Sequence, residues 1–354
     1  MSAQTPDGTD NAVAPASADT IGSRMRRVFT SPTFITFAFL LLVMVLFSVM
    51  APGKFGTITN FKLLAQNVAI LTVVSVGTTF VIATGGIDLS IPSGIVLGEV
   101  FAVKALSMIP VGGGTAVDLN ADQSGIGYIL IALAFSLAAG TLVGLINGVV
   151  VAYMRVPAML ATLGTLGGGL GVALLMQNGV NIATYAINPV SSASLLFGIP
   201  NLIIIAVIVA IVGIVMLNLS VFGRHTLAIG SSSEAARRVG IKVERHLVLV
   251  YTLGGFASGF GGFLSLGYFS TTSVAGHSTD NLQAITAVAL GGTSLFGGVA
   301  TVFGTIVGVW IPAILQNGFI IMGVQPYWQM VAVGAVLILA VWLDRIRRSS
   351  QGGR

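Results

Sequence analysis

Residues 200–246 read PNLIIIAVIVAIVGIVMLNLSVFGRHTLAIGSSSEAARRVGIKVERH. From 200 to 218 there is no charge and only Asn201 and Asn218 are polar. That run matches the roughly 20 apolar residues a helix needs to cross a hydrocarbon core. Beyond it the character reverses, and Arg224, Arg237, Arg238, Lys242 and Arg245 share one polar stretch from Ser220 to His246. An apolar run opening into a basic connection is the mark of a span emerging on the cytoplasmic face, where loops collect Lys and Arg.

The remainder of the chain has the same cast. Of its 354 residues 55% are hydrophobic and 8% charged, with a mean hydropathy of +0.98. A soluble domain uses roughly 25% charged residues to coat itself, so most of this surface faces lipid. Apolar segments fall near 33–50, 64–84, 91–109, 127–153, 157–177, 200–218, 247–268, 282–297, 298–316 and 327–343. They predict an all-α, polytopic membrane bundle of about ten helices. The 282–316 stretch reads either as two short helices broken at Gly297-Gly298 or as a re-entrant pair. Residues 1–30 read as a disordered cytoplasmic tail, 31–346 as the membrane domain with a cytoplasmic loop at 220–246, and 347–354 as a basic cytoplasmic tail. Arg24, Arg26 and Arg27 before Phe34–Met50 resemble a signal peptide, but the run is long and no small-x-small site follows Met50, which favours a retained first helix.

An even number of spans places both termini on one side. With the N-terminus inside, Arg24, Arg26, Arg27, Arg155, Arg224, Arg237, Arg238, Lys242, Arg245, Arg345, Arg347, Arg348 and Arg354 fall inside, Lys54 and Lys62 outside, and Lys104 within a span. That bias agrees with cytoplasmic termini. It also accounts for the +5 formal charge without nucleic acid. The chain has no Cys, which excludes disulfides, thiolate metal sites and cysteine nucleophiles. His225, His246 and His277 lack metal-ligand spacing, and no Gly-x4-Gly-Lys-Ser/Thr phosphate loop is present. No metal or cofactor is expected on this chain. Glycines four apart, as at 140/144 and 304/308, point to close helix packing.

Three segments rise above this background. Within the basic loop, Ser233 is placed to cap a short helix, with Glu234 in its first turn, Arg237 and Arg238 in its last, and Gly240 as the left-handed stop. Ala235, Ala236 and Val239 give it a small apolar face, and a helix this short needs a docking partner. The second segment is Gly85-Gly86-Ile87-Asp88-Leu89-Ser90-Ile91-Pro92, where Asp88 or Ser90 can cap the next span with Pro92 in its first turn. Asp88 could instead be an ion or substrate ligand exposed at a helix break. Glu99 lies about 13 Å further along, counting 1.5 Å per residue, deep enough that its carboxylate is costly and often functional; Lys104 is its candidate partner. The third segment, Gly291-Gly292-Thr293-Ser294-Leu295-Phe296-Gly297-Gly298, reads as a helix break lined by polar backbone and echoes the Gly85-Gly86 segment.

These residues, with Asn147-Gly148, Arg155-Val156-Pro157, Thr162-Leu163-Gly164-Thr165, Gly223-Arg224, Ala284-Ile285 and Asn317-Gly318, resemble the permease subunit of bacterial ABC importers for monosaccharides, the ribose, xylose, arabinose and galactose branch. The likeness covers roughly 60–345. It implies that residues 233–240 form a coupling helix docking on a separate cytosolic ATPase that holds ATP and Mg. It also implies a second permease copy or paralogue, a periplasmic sugar-binding protein, and a bacterial inner-membrane location. Asn281 before Leu282 departs from the Glu common there, with Asp280 one position earlier. The candidate path or break residues are then Gly85, Gly86, Asp88, Ser90, Glu99, Asn147, Gly291, Gly292, Thr293, Ser294 and Asn317. A proton- or ion-coupled carrier using Glu99 and Asp88 is the alternative, though it leaves the 231–240 segment unexplained. An intramembrane Ser protease at Ser294 would need a base within hydrogen-bond reach, and the three His are expected in loops.

Overall fold

Long uninterrupted apolar runs become the long helices, and each glycine pair or proline marks where one stops. A computed structural model describes residues 32–111, 115–116, 125–192, 194 and 198–351. In chain order the elements are α1 (Pro32–Met50), α2 (Ile58–Ala83), α3 (Ile91–Ser107), a two-residue β pairing of Pro110–Val111 with Thr115–Ala116, α4 (Ile126–Ala152), α5 (Ala158–Met176), α6 (Pro189–Ser192), α7 (Asn201–Leu219), α8 (Val221–Ser231), α9 (Ser233–Arg238), α10 (Val243–Phe269), α11 (Asp280–Leu290), α12 (Val302–Ile321) and α13 (Pro326–Gln351). The predicted tail at 1–30 lies outside the described residues. The predicted tail from 347 begins as a continuation of α13, and 352–354 lie outside the description.

Seven of these helices, α1, α2, α4, α5, α7, α10 and α12, are long and apolar enough to cross a membrane. The other three predicted segments are helical but shorter or less uniformly apolar. α3 has 17 residues, α11 has 11, and the apolar part of α13 is Tyr327–Leu339. At 1.5 Å per residue α11 reaches only about 16 Å, roughly half a hydrocarbon core. The break in this region comes at Gly291, earlier than the predicted Gly297-Gly298, and the helix resumes only at Val302.

α2 is the hub: 83% of its apolar window is buried, against 17% for α5. α10, α7, α12 and α11 pack around it. The outer faces of α1 and α7 present Leu42, Val45, Val49, Ile208, Ile211 and Val212 outward, an apolar band that suits lipid and nothing aqueous. Inside the bundle, helices meet backbone to backbone. α4 and α10 interlock through Gly140 and Gly144 against Gly255 and Gly259, and a Cβ on any of the four would overlap the other helix's main chain. Hydrocarbon gives helices no apolar drive to associate, so such close seams supply the dispersion and dipole contacts that hold them. Gly304 and Gly308 do the same against Gly291 and Ala287. Four of the five glycines of α5 behave differently, since Gly164, Gly167, Gly168 and Gly171 have nothing near them, while Gly169 is pressed against Ser93 of α3.

Candidate functional site

α2 ends at Ala83, and the chain turns through Thr84–Ser90 before α3 begins. Gly85 takes a left-handed φ of +81°, which a side chain would oppose. Asp88, 2% exposed, folds back on this turn. Its Oδ1 accepts hydrogen bonds from the Ser90 amide (2.8 Å) and the Ser90 hydroxyl (2.6 Å). Asn147 of α4 donates from Nδ2 to Ser90 Oγ (2.7 Å), and Thr165 of α5 donates to Asn147 Oδ1 (2.6 Å). A polar chain thus runs Thr165, Asn147, Ser90, Asp88 across three elements. Thr162 Oγ1 accepts from the Leu89 amide at 3.0 Å, and Asn281 reaches the Leu89 carbonyl at 3.3 Å. Ser90 is the N-terminal boundary residue of α3 but makes no side-chain cap, and Pro92 sits in the first turn as predicted. Tyr251 of α10 packs its hydroxyl against Gly86.

The second break, Gly291–Thr301, lies against the first. Thr293 Oγ1 accepts from the Thr301 amide (3.1 Å) and the Ser294 amide donates to the Val299 carbonyl (2.9 Å), which closes the loop on itself. The Gly298 amide then donates to the Ala83 carbonyl at 3.0 Å. The end of α8 fills the remaining side of this junction. A Cβ on Gly297 would lie 2.7 Å from the Gly85 nitrogen and 3.0 Å from Gly230 Cα, and one on Gly230 would overlap the Ala83 carbonyl oxygen. Three chain segments therefore meet main chain to main chain at Ala83–Gly85, Gly230–Ser231 and Gly297–Gly298.

α9 begins two residues after that junction. Its cap is Ser232, one residue earlier than predicted, with Oγ accepting from the Ala235 amide at 3.2 Å. Ser233 and Glu234 are the first two helical residues. The helix stops at Gly240, φ +87°, where the Gly240 and Ile241 amides return to the Arg237 and Ala236 carbonyls at 2.9 and 3.0 Å. That is the left-handed stop the sequence suggested. The expected apolar face is divided. Ala236 is buried against Ile229 and Val243, whereas Ala235 is exposed and Val239 is 77% exposed. Arg238 pairs with Glu234 and Arg237 with Glu244, both in largely exposed positions, where an ion pair contributes at most about 1 kcal/mol.

Glu99 is fully buried in α3, and its partner is His277 rather than Lys104. Nε2 of His277 lies 2.9 Å from Glu99 Oε1 and Nδ1 lies 2.7 Å from Asp280 Oδ2. Each ring nitrogen thus faces a carboxyl group, and the ring bridges two acids. Ser273 donates its amide to Glu99 Oε2 at 3.0 Å, and Ser265 Oγ lies 3.0 Å from Nε2. Ser265 shares Nε2 with the Glu99 carboxyl, so the ring is not reserved as a base for the serine. The acids sit on opposite sides of the ring, and among the described residues no group of three or more His, Asp or Glu converges on a metal position. His225 and His246 lie within α8 and α10 instead of in loops.

A family profile described as the permease component of branched-chain amino acid transport systems matches residues 60–341. The ribose import permease RbsC of Escherichia coli K12 is 32% identical over 334 residues, covering 90% of this chain and 96% of that protein. RbsC of Bacillus subtilis is 35% identical, covering 86% and 90%, and the fructose import permease FrcC of Rhizobium meliloti is 31% identical, covering 89% and 86%. This chain belongs to the ABC importer permeases, in their monosaccharide branch. Permeases of this family are multi-pass proteins of the inner membrane, and the apolar helices agree. No solved structure matches the chain.

In this permease Asp88, Ser90 and Asn147 form one hydrogen-bonded chain, and Gly85 meets the Phe296–Gly298 end of the second break. Glu99 stands apart, toward the 270–279 connection. Asn317 is also distant, exchanging two 3.0 Å amide bonds with Asn60 at the start of α2, which makes it a clamp between α2 and α12. Sequence reasoning missed His277, Thr165, Tyr251 and Gly230. For His277 a signal existed: a buried acid at 99 needs a cation, and His277 stands three residues before Asp280.

Proposed function

We propose that this chain is the membrane-spanning subunit of an ATP-driven importer that carries a monosaccharide or similar small polyol into the cytoplasm. Both termini and the 220–246 loop face the cytoplasm. ATP and Mg are held by a separate ATPase that grips α9, a periplasmic sugar-binding protein delivers the cargo, and this chain holds no cofactor. A second permease copy or a sister chain completes the path, with the open glycine face of α5 available to pack against it. The gradient-driven alternative is not favoured by the chain's relatives.

The observation that carries the reading is the junction at Gly230. The exposed Ala235 and Val239 of α9 offer a grip, while Ala236 ties the helix to its own protein. Immediately upstream, Gly230 and Ser231 are wedged against both glycine breaks. A push on α9 reaches the backbone of both broken segments without passing through a flexible side chain. Those breaks are where transporter helices expose polar main chain to cargo. Gripping α9 from the cytosol thereby tilts α3 and α12 relative to α2 and reopens the path on the other side.

The test is Ala235→Arg, which leaves Ala236 and the bundle untouched. It should abolish capture of the cognate ATPase and sugar uptake while the permease still elutes as a folded species in mild detergent. Normal ATPase capture by this variant would overturn the assignment of α9.

A further inference from the structure

Beside the Glu99–His277–Asp280 group lies a partly open cavity of ≈ 120 Å³. Its polar lining is Asn67 of α2, His277, Asp280, Gln283 of α11 and Gln316 of α12. Gln316 is exposed and, among the described residues, its amide has no hydrogen-bond partner. Asn317 next to it in α12 is satisfied by Asn60, whereas an unpartnered amide turned toward lipid is costly. This face of α12 therefore calls for a polar neighbour rather than lipid. Asn67 of α2 is exposed on the same cavity.

The chemistry of the lining narrows the ligand. Primary amides both donate and accept, as hydroxyl groups do, and three of them line this cavity with a carboxylate: Asn67 and Gln283 each spend one N–H on Leu63 and Thr279, and Gln316 is, among the described residues, wholly unengaged. The floor is apolar, from Leu71 and Ala313, which suits the C–H faces of a small ring. A cargo carboxylate would face the Asp280 carboxyl group here, and the His277 ring beside it is engaged by acids on both nitrogens. We infer that this cavity is a docking subsite for the hydroxyl groups of a neutral polyol, entered before the cargo reaches the glycine breaks. The inference rests on the importer reading and adds a recognition step within the permease itself. Glu99 acts as a positioning residue, holding the His277 ring that in turn holds Asp280 at the cavity wall.

The chain has no native cysteine, so Phe269→Cys at the cavity mouth places one reporter thiol on it. The assembled transporter, with its ATPase and binding protein, is reconstituted in proteoliposomes, and maleimide labelling is timed with D-ribose, D-fructose, D-galactose or L-leucine outside. A transported sugar at about twice its dissociation constant should slow labelling about threefold by mass action, and leucine should not. Gln283→Leu should remove the protection, and Gln283→Glu, which keeps a hydrogen-bonding head, should restore part of it. Labelling indifferent to a sugar that the same vesicles import would overturn the subsite while leaving the importer reading intact. Vesicles that import leucine and no sugar would overturn that reading and the subsite with it.

Discussion

A valine at position 230 would have nowhere to place its side chain, because the Ala83 carbonyl and the Gly298 amide already occupy the space. Gly230→Val should therefore push α8 off the two breaks without touching the exposed face of α9. The expected outcome is a permease that still captures its ATPase but loses uptake. Retained uptake would show that force takes another route. At the other end, Glu99→Leu leaves the buried His277 Nε2 without its acid partner. Breaking a buried charge pair from one side costs about 3–5 kcal/mol, so thermal unfolding in detergent should shift clearly downward. An unchanged midpoint would remove the structural role of this pair. Little of this was legible in the chain. Glu99 stood out because a carboxylate inside an apolar run is expensive, but its partner lies 178 positions away, and no local spacing rule reaches that far. Lys104 was the local candidate, and five residues apart on one helix is poor geometry for pairing.

Short helices raise a different question, because α9 has six residues and could not persist alone. Ser232, the left-handed Gly240 and the buried methyl of Ala236 hold it together. Three consecutive serines made the capping residue ambiguous by one position, while the glycine stop, fixed by its φ, was legible. Ala236→Pro removes the amide that donates to the Ser232 carbonyl at 3.0 Å and crowds the preceding turn, a change that costs about 3 kcal/mol in a helix interior. It should unravel α9 and release the ATPase while α10 stays intact, read as lost co-purification with unchanged helical content. The long helices were legible because hydropathy alone defines them. The break after α11 was legible from Gly291-Gly292 and Gly297-Gly298, but the apolar run at 282–297 left open which glycine pair ends the helix. What ends it at the first pair is the left-handed Gly292, φ +92°, with the Thr293 amide returning to the Val288 carbonyl at 3.2 Å.

Among the described residues, seven helices long and apolar enough to cross a membrane, with α3, α11 and α13, surround two breaks that meet each other, and a polar cavity sits beside the Glu99–His277–Asp280 group. The echo between Gly85-Gly86 and Gly291-Gly292 was visible in the chain, but their contact through Gly298 belongs to the fold. The account depends on α9 facing the cytosol in the grip of an ATPase. Val239→Cys, on a chain with no other thiol and at a site 77% exposed, measures this directly through cross-linking in the assembled transporter. The account predicts a permease–ATPase product whose yield changes with ATP, and no reaction with an impermeant thiol reagent added outside intact cells. Labelling from outside, with no ATPase adduct, would contradict it.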